Sequence, residues 1–370
     1  MESSRLLETF EQALGSIDTE AANAYEHALP TLVEAVNTAM EEREDLDDLI
    51  GPNTSDVMES NHTNHGNFIL SQLRVRSART LLEIAAWAYQ SYIKRGFSPS
   101  YFPIAMQTWQ NAISQHVDER NAALLNTLYQ AIIDGHQDLL VASQQSEETM
   151  QVHENIYPFF KEYLTALLEP DSLRATHITR SYIQSVEQIP TWWEQVIWPA
   201  MHEVGRLWSD GVITVGQEHI ATSITQRIMS IYYPMILELP RDKGAIVVTA
   251  SPGELHEIGA RMVADFLELH GWDVYYTGAD TPQESIVSLL ENLHARVLCI
   301  STTMPYNLMY VSSIVERVRN GHRPGPIYVV VGGQAYKNDV RAWQAVGADR
   351  YIASASEAVQ FLDSFLLHNH

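Results

Sequence analysis

Ala245-Ile246-Val247-Val248-Thr249-Ala250 runs directly into Ser251-Pro252-Gly253-Glu254-Leu255-His256-Glu257-Ile258-Gly259, and Ala260 then opens an amphipathic run that reaches His270. The first six residues are short, largely β-branched and continuously apolar, the composition of a strand buried on both faces. The run after Gly259 carries Met262, Val263, Phe266 and Leu267 at helical spacing. His256 therefore stands on the loop at the carboxyl end of a first strand, the edge at which open α/β sheets bind their ligands. Glu254 lies two residues before it and Gly259 three after. A carboxylate so placed can accept a hydrogen bond from one ring nitrogen and fix the tautomer, leaving the other nitrogen for a metal. The glycine lets the backbone pass close to a bulky ligand. Alone, E-x-H-x-x-G is a weak pattern that a polar surface histidine also satisfies.

The rest of the C-terminal third repeats the alternation. Strands are expected at Ala245–Ala250, Trp272–Thr277, Arg296–Thr302, Ile327–Val331 and Arg350–Ala353. Helices are expected at Glu257–His270, Gln283–His294, Asn307–Asn320, Asn338–Ala345 and Ser356–His368. Five βα units imply a doubly wound, flavodoxin-like (Rossmann-like) parallel sheet. Its ligand loops would carry His256 after the first strand, Ser301-Thr302-Thr303-Met304 after the third and Gly332-Gly333-Gln334 after the fourth. No G-x-G-x-x-G follows the first strand and no P-loop is present, which weakens nucleotide-cofactor readings. Ser301 and Thr302 occupy the edge where a receiver domain would need its aspartate.

Charge and composition exclude other classes. The chain has 370 residues, with 23 Lys and Arg against 46 Asp and Glu, a formal charge of −23. Binding to nucleic acid needs a basic footprint, so no direct nucleic-acid contact is expected. The single cysteine, Cys299, lies in an apolar strand-like run and reads as core. The opening residues are polar and acidic, and no apolar stretch is long enough to span a bilayer, so a cytoplasmic protein without membrane contact is the expectation.

Upstream of the sheet the pattern is helical throughout. Helices are read at Ser3–Leu14, at Thr19–Arg43 with Pro30 interrupting it or starting a second piece, and as one long run Asn67–Lys94. Two more are read at Pro103–His116 and Arg120–Ser143. Glu41–Asp48 reads as a solvated acidic face or linker. His62 and His65 share a helical face, but nothing beside them completes a metal set, and they read as surface histidines at a helix start. His116 and His136 are equally unsupported as ligands. The aromatic residues Trp87, Tyr89, Tyr92, Tyr101, Phe102 and Trp109 read as core. Ser143–Glu148 reads as a linker. Beyond it the chain is helical again from Tyr157: a first amphipathic piece carries Phe159, Tyr163, Leu164 and Leu167, and helices at Asp171–Ser185, at Thr191–Trp208 (after a break at Ile189-Pro190) and from Thr214 or Val215 to Ile236 complete a small up-down bundle. Thr214 can cap the last of these. The expected domains are 1–148 (helical), 149–240 (four-helix bundle) and 241–370 (sheet).

Glu254-Leu255-His256-Glu257-Ile258-Gly259, Ser301-Thr302-Thr303 and Gly332-Gly333 together resemble the D/E-x-H-x-x-G, S-x-L/T and G-G motifs of the cobalamin (vitamin B12)-binding domain. The resemblance implies that His256 is the lower axial ligand of cobalt, replacing the cofactor's own benzimidazole, with Glu254 behind it. Ser301 and Thr303 would contact the nucleotide tail, and Gly259, Gly332 and Gly333 would let the cofactor lie close. Pro199–Trp208 through Gln217-Glu218-His219 is similar to the helical cap that precedes such domains. Trp208, Glu218 and His219 resemble the set that faces the upper side of the cofactor in light-responsive adenosylcobalamin regulators. The likeness covers Tyr157–His368.

Two departures qualify it. Glu254 stands where methyl carriers usually have Asp, which leans towards the regulators. Ser209 stands where the light-responsive repressors have an upper-ligand histidine, so His219, His202 or water would have to serve. The expectation is therefore a cobalamin-dependent sensor, a binding and signalling protein rather than an enzyme. Light-driven loss of the adenosyl group from adenosylcobalamin would rearrange the cap and signal through the N-terminal helices, a homo-oligomer or a protein partner. One alternative is a corrinoid methyl-carrier protein of a methyltransferase system. Another keeps the fold but seats a different tetrapyrrole, haem or biliverdin.

Overall fold

The computed structural model describes residues 2–144, 152–321, 326–337 and 339–368. The chain forms two compact units. The first contains α1 (Glu2–Ser16), α2 (Thr19–Glu41), α3 (Leu46–Ile50), α4 (Ser55–Val75), α5 (Ala78–Lys94), α6 (Tyr101–His116), α7 (Glu119–Asp134) and α8 (His136–Ala142). Its core is built from stripes at helical spacing, such as Tyr25, Leu29, Leu32, Val36 and Met40 on α2. Asp18 caps α2 by accepting from Ala21 N at 2.9 Å.

Several expectations for this unit are corrected. Pro30 neither breaks nor restarts α2, which runs unbroken from Thr19 to Glu41. One missing N–H is outweighed by the continuous buried stripe on either side of it. The long helix expected at Asn67–Lys94 is two helices. Arg76 adopts a left-handed conformation at φ 58°, closing α4, and Ser77 caps α5 by accepting from Thr80 N at 3.0 Å. The helix expected at Arg120–Ser143 is likewise divided at Gly135 into α7 and α8. The acidic Glu41–Asp48 stretch includes the start of α3, whose Leu49 and Ile50 are buried. His62 and His65 are not surface residues at a helix start. They lie inside α4, His62 at 2% exposure, because that helix begins at Ser55.

The first unit also takes in Met304–Met309 and the short helix Val340–Ala345. There Ser71 Oγ donates to Pro305 O at 2.9 Å, and Ser77 Oγ donates to the Asp339 carboxylate. The expected helix start at Asn338 lies outside the described residues, as do the linker residues from 145 on and the domain boundary placed at 148.

The second unit holds a four-part helical layer and the sheet. α9 (Tyr157–Leu168) and α10 (Ser172–Tyr182) are followed by α11 (Ile189–Trp192), a π turn Trp193–Ile197 and α12 (Trp198–Ser209), then α13 (Val215–Leu237). Pro190 sits in the first turn of α11, where its missing N–H is harmless, so Ile189-Pro190 starts the third helix rather than separating it from Thr191. Thr214 and Gln217 form a reciprocal capping box on α13.

The sheet consists of β1 (Ala245–Ala250), β2 (Asp273–Tyr276), β3 (Val297–Ser301), β4 (Tyr328–Gly332) and β5 (Arg350–Ile352), all parallel, in the order β2-β1-β3-β4-β5. This is the expected doubly wound, Rossmann-like architecture, with every strand within a residue or two of its expected ends. α14 (Ile258–Leu269) and α15 (Gln283–Asn292) follow β1 and β2, α16 (Leu308–Asn320) follows β3, the already described Val340–Ala345 (α17) follows β4, and α18 (Ala355–His368) follows β5. Right-handed crossovers in this order put α14 on one face and α15 and α16 on the other, and α18 packs beside α14. Trp192, Trp193, Val204 and Ile228 of the helical layer share one core with Phe266 of α14 and Leu362 of α18. Cys299 is buried in β3, and burial pushes its thiol up to about 12. Among the described residues no helix is long and apolar enough to cross a membrane.

Candidate functional site

The carboxyl edge of the sheet is assembled by backbone bonds that continue past the strand ends. Ser251 N donates to Ser301 O, and Thr302 N to Gly332 O, each at 2.9 Å. Glu254 is fully buried, and its carboxylate binds two loops at once. Oε1 accepts from His256 N at 3.1 Å and from His256 Nδ1 at 2.5 Å, while Oε2 accepts from Thr303 N at 2.9 Å. These donors offset the cost of burying a charge. They also fix the imidazole: with Nδ1–H donated to Glu254, Nε2 keeps its lone pair for an outside partner.

The His256 side chain is 56% exposed, so that lone pair is accessible. The Glu254 hydrogen bond raises the His256 pKa above its ordinary value, against desolvation and with help from the charges of Glu254 and Glu218. The loop is braced from the β2 side, where Gly253 N donates to Asp280 Oδ1 at 2.8 Å and Asp280 N to Glu254 O at 3.1 Å.

Glu254, His256, Gly259, Ser301, Thr303, Gly332 and Gly333 are thus brought to one edge. The space beside Gly333 is filled by protein: a Cβ there would stand 2.3 Å from Thr302 O, and φ is 100°. The residue must be glycine for the loop's own packing.

The cap residues are placed differently. Trp208 is half-buried near the end of α12, and Ser209 beside it is buried. Glu218 accepts from Thr222 Oγ1 at 2.8 Å and from His219 Nδ1 at 2.5 Å. Its charge reaches His256, whereas the His219 side chain stands 71% exposed. His202 lies against Trp198, with ring centroids 6.2 Å apart.

Sequence reasoning missed several contributors. Ser251 Oγ is buried without a hydrogen-bond partner among the described residues, a hydroxyl at the end of β1 that a polar group entering the edge would satisfy. Leu255, beside His256, is 74% exposed, and Val212 and Val215 are also open at the turn into α13, apolar surface suited to a flat ring system. Asp280 and Glu257 belong to the same loop cluster. Of these, Asp280 lay outside the stretches that the sequence marked.

Among the described residues no three His, Cys, Asp or Glu side chains gather to hold a bare metal ion. The donor set at the edge is one oriented imidazole, which suits a metal that arrives with its equatorial positions already filled. One oriented imidazole, an unsatisfied buried hydroxyl and exposed apolar side chains stand at this edge, a lining that fits a macrocyclic metal group bringing its other ligands with it.

Residues 244–362 match the B12 binding domain family, and residues 160–233 match a second family model of the same description. This part of the chain belongs to the cobalamin-binding domain family and carries its helical cap. Cobalamin, not haem or a bilin, is the group that family binds. Dimethylamine corrinoid protein 2 of Methanosarcina mazei is 30% identical over 125 residues, covering 34% of this chain and 57% of that protein. Trimethylamine corrinoid protein 1 of the same organism is 25% identical over 174 residues, covering 45% of this chain and 78% of that one. The chain spans little more than half the length, 53–57%, of three of the dimethylamine corrinoid proteins it matches. The solved Methanosarcina barkeri monomethylamine corrinoid protein shares the fold, with a TM-score of 0.50 at 16% identity over 57% of this chain and 99% of that one.

Proposed function

We propose that the chain is a corrinoid methyl carrier, the cofactor-bearing partner of a separate methyltransferase, rather than the light sensor expected above. The observation that carries the reading is the Glu254–His256–Thr303 cluster under a helical cap, in a region whose relatives are methylamine corrinoid proteins. Cobalamin, when bound, supplies a cobalt centre that can take up and release a methyl group.

The chain's own residues do the rest. Glu254 holds the Nδ1 proton of His256, so that Nε2 would be the atom offered to cobalt. Thr303 N, gripped by the same carboxylate, ties the loop after β3 to that position, where Ser301 and Thr303 would line the tail of the cofactor. Ser251 Oγ is a further hydroxyl for that tail. Gly333 keeps the loop after β4 against Thr302, Gly332 keeps the end of β4 close to Ile352, and Gly259 would leave room beside the cofactor. Trp208, Glu218 and His219 stand on the cap side, where they would shield the upper face between transfers. Ser209, a buried hydroxyl at the position of the repressors' upper histidine, weighs against a light-made bis-histidine state.

The test loads dark protein with methylcobalamin or adenosylcobalamin and compares it with His256→Ala. A methyl form whose spectrum requires His256, and an elution volume unchanged by green light with either cofactor, supports the carrier. An adenosyl form whose oligomeric state changes on illumination would return the sensor reading.

A further inference from the structure

Glu257, next to the axial histidine, has no part in the family's motif, yet it is among the most tightly gripped side chains of the site. Its Oε1 accepts from Gln226 Nε2 of α13 at 2.6 Å. Its Oε2 accepts from Tyr276 OH, at the end of β2, at 3.1 Å. Tyr276 OH also lies 3.2 Å from the Glu257 carbonyl oxygen. Room for the carboxylate is kept by Gly278, where a Cβ would come within 3.1 Å of Oε2 and where φ is 79°. One turn further along, on α14, Arg261 donates to Gln226 O at 3.2 Å and to Ser230 Oγ at 3.0 Å. The same turn of α13 is thus held by three hydrogen bonds from the Glu257–Arg261 stretch.

We infer that Glu257 is a positioning residue, the catch of a latch that clamps the cap helix α13 to the His256 loop and sets how closely the cap covers the cofactor. The lever is visible within α13. Gln226 lies two turns beyond Glu218, the residue whose charge acts on His256, so freeing Gln226 frees the end of α13 that faces the axial loop. A further tie between α13 and α14, from Tyr233 OH to Glu268 Oε1 at 3.2 Å, lies two turns farther from Glu218. The Glu257–Gln226 bond opens on a groove of about 560 Å³ whose lining includes Ser223, Arg227, Ser230 and Arg261. A group entering the groove can therefore reach the catch without displacing the core. The inference rests on cobalamin sitting over His256, not on methyl being the group it carries.

The test exchanges the two sides of the bond. Gln226→Glu sets two carboxylates face to face, and Glu257→Gln in that background restores the bond with donor and acceptor reversed while leaving an acceptor for Tyr276. Amide hydrogen exchange along 215–226 in cofactor-free protein, and the rate at which cyanide reaches hydroxocobalamin in loaded protein, are measured on both. Gln226→Glu is expected to speed both about tenfold, and the double variant to return them close to the parent. Tyr276→Phe should give a smaller increase. Rates unchanged in Gln226→Glu, or a double variant as fast as the single, would overturn the latch. A parent protein that takes up no cobalamin would instead count against the cofactor reading, and the exchange arm would still decide the latch.

Discussion

The two units use histidine in opposite ways. In the helical unit His62 binds Asn37 Oδ1 through Nδ1 at 2.6 Å and the Tyr101 hydroxyl through Nε2 at 2.9 Å. His65 lies against Trp109 and Tyr129, with ring centroids 5.2 and 5.7 Å away. Burial pushes their pKa values down to about 4 and about 3. In the sheet unit His256 is mostly exposed, has one nitrogen on a buried carboxylate, and titrates above its ordinary value. The partner decides the chemistry. Neutral partners in dry surroundings hold an imidazole uncharged, and His62 spends both nitrogens on them. A buried carboxylate spends one nitrogen and leaves the other for a metal.

The largest expected effect follows from that contrast. His62 and His65 have folded pKa values below the unfolded value of about 6.5, so the stability they confer is complete above it and is lost as pH falls through 6.5 towards 4. The loss is on the order of 3 kcal/mol for each. Denaturant melts of the parent and of His62→Gln across that window check it; a parent equally stable at both ends would break the comparison. His256, raised by its partner, contributes in the other direction, with stability present below 6.5 and lost as pH rises.

Asp265 sharpens the same point with a carboxyl. It is buried on α14, accepts from Trp193 Nε1 at 2.8 Å, and burial pushes it up to about 7. Folded protein keeps a proton that the unfolded chain releases near 4, so stability falls as pH rises towards 7. From about pH 5 to about pH 7 the fall is roughly 2 kcal/mol. Asp265→Asn should remove that slope while leaving the acid limb set by His62 and His65 intact, which thermal melts at several pH values would show.

How much of this could be read in the sequence depends on whether the partners are near in the chain. β1 was legible because AIVVTA is largely β-branched and carries no charge, and Glu254 and His256 because they lie two residues apart. Thr214 was legible as a cap because its partner Gln217 is three residues on. His62 was not. The first turns of α4 are polar in sequence, and what makes them an interior face is Asn37 and Tyr101, far off in the chain. The division at Arg76 carries no glycine or proline, and the Gln226–Glu257 bond spans 31 residues with no pattern to announce it.

Glu254 tests whether the carboxylate is what sets the two kinds of histidine apart. Glu254→Ala removes the acceptor for His256 Nδ1, His256 N and Thr303 N together. Loss of such a support behind a ligating histidine typically costs 10–100-fold in metal affinity, so cobalamin binding should weaken by about that factor in an equilibrium titration. Undiminished affinity would mean that His256 orients itself.

The smallest effect should come from His219. Its side chain is 71% exposed and, among the described residues, its ring bonds the adjacent Glu218. An exposed pair of this kind contributes little, so His219→Ala should change stability by less than about 0.5 kcal/mol. Its value lies in the spectrum. In a carrier, His219 flanks the cap and ligates nothing, so the loaded protein should absorb as the parent does before and after illumination. In a sensor with Ser209 in the histidine position, His219 is the candidate to take the upper site once the adenosyl group is gone, and His219→Ala would then alter the light-state spectrum alone. The variant that perturbs the fold least is thus the one that most cleanly separates the two uses of the cofactor.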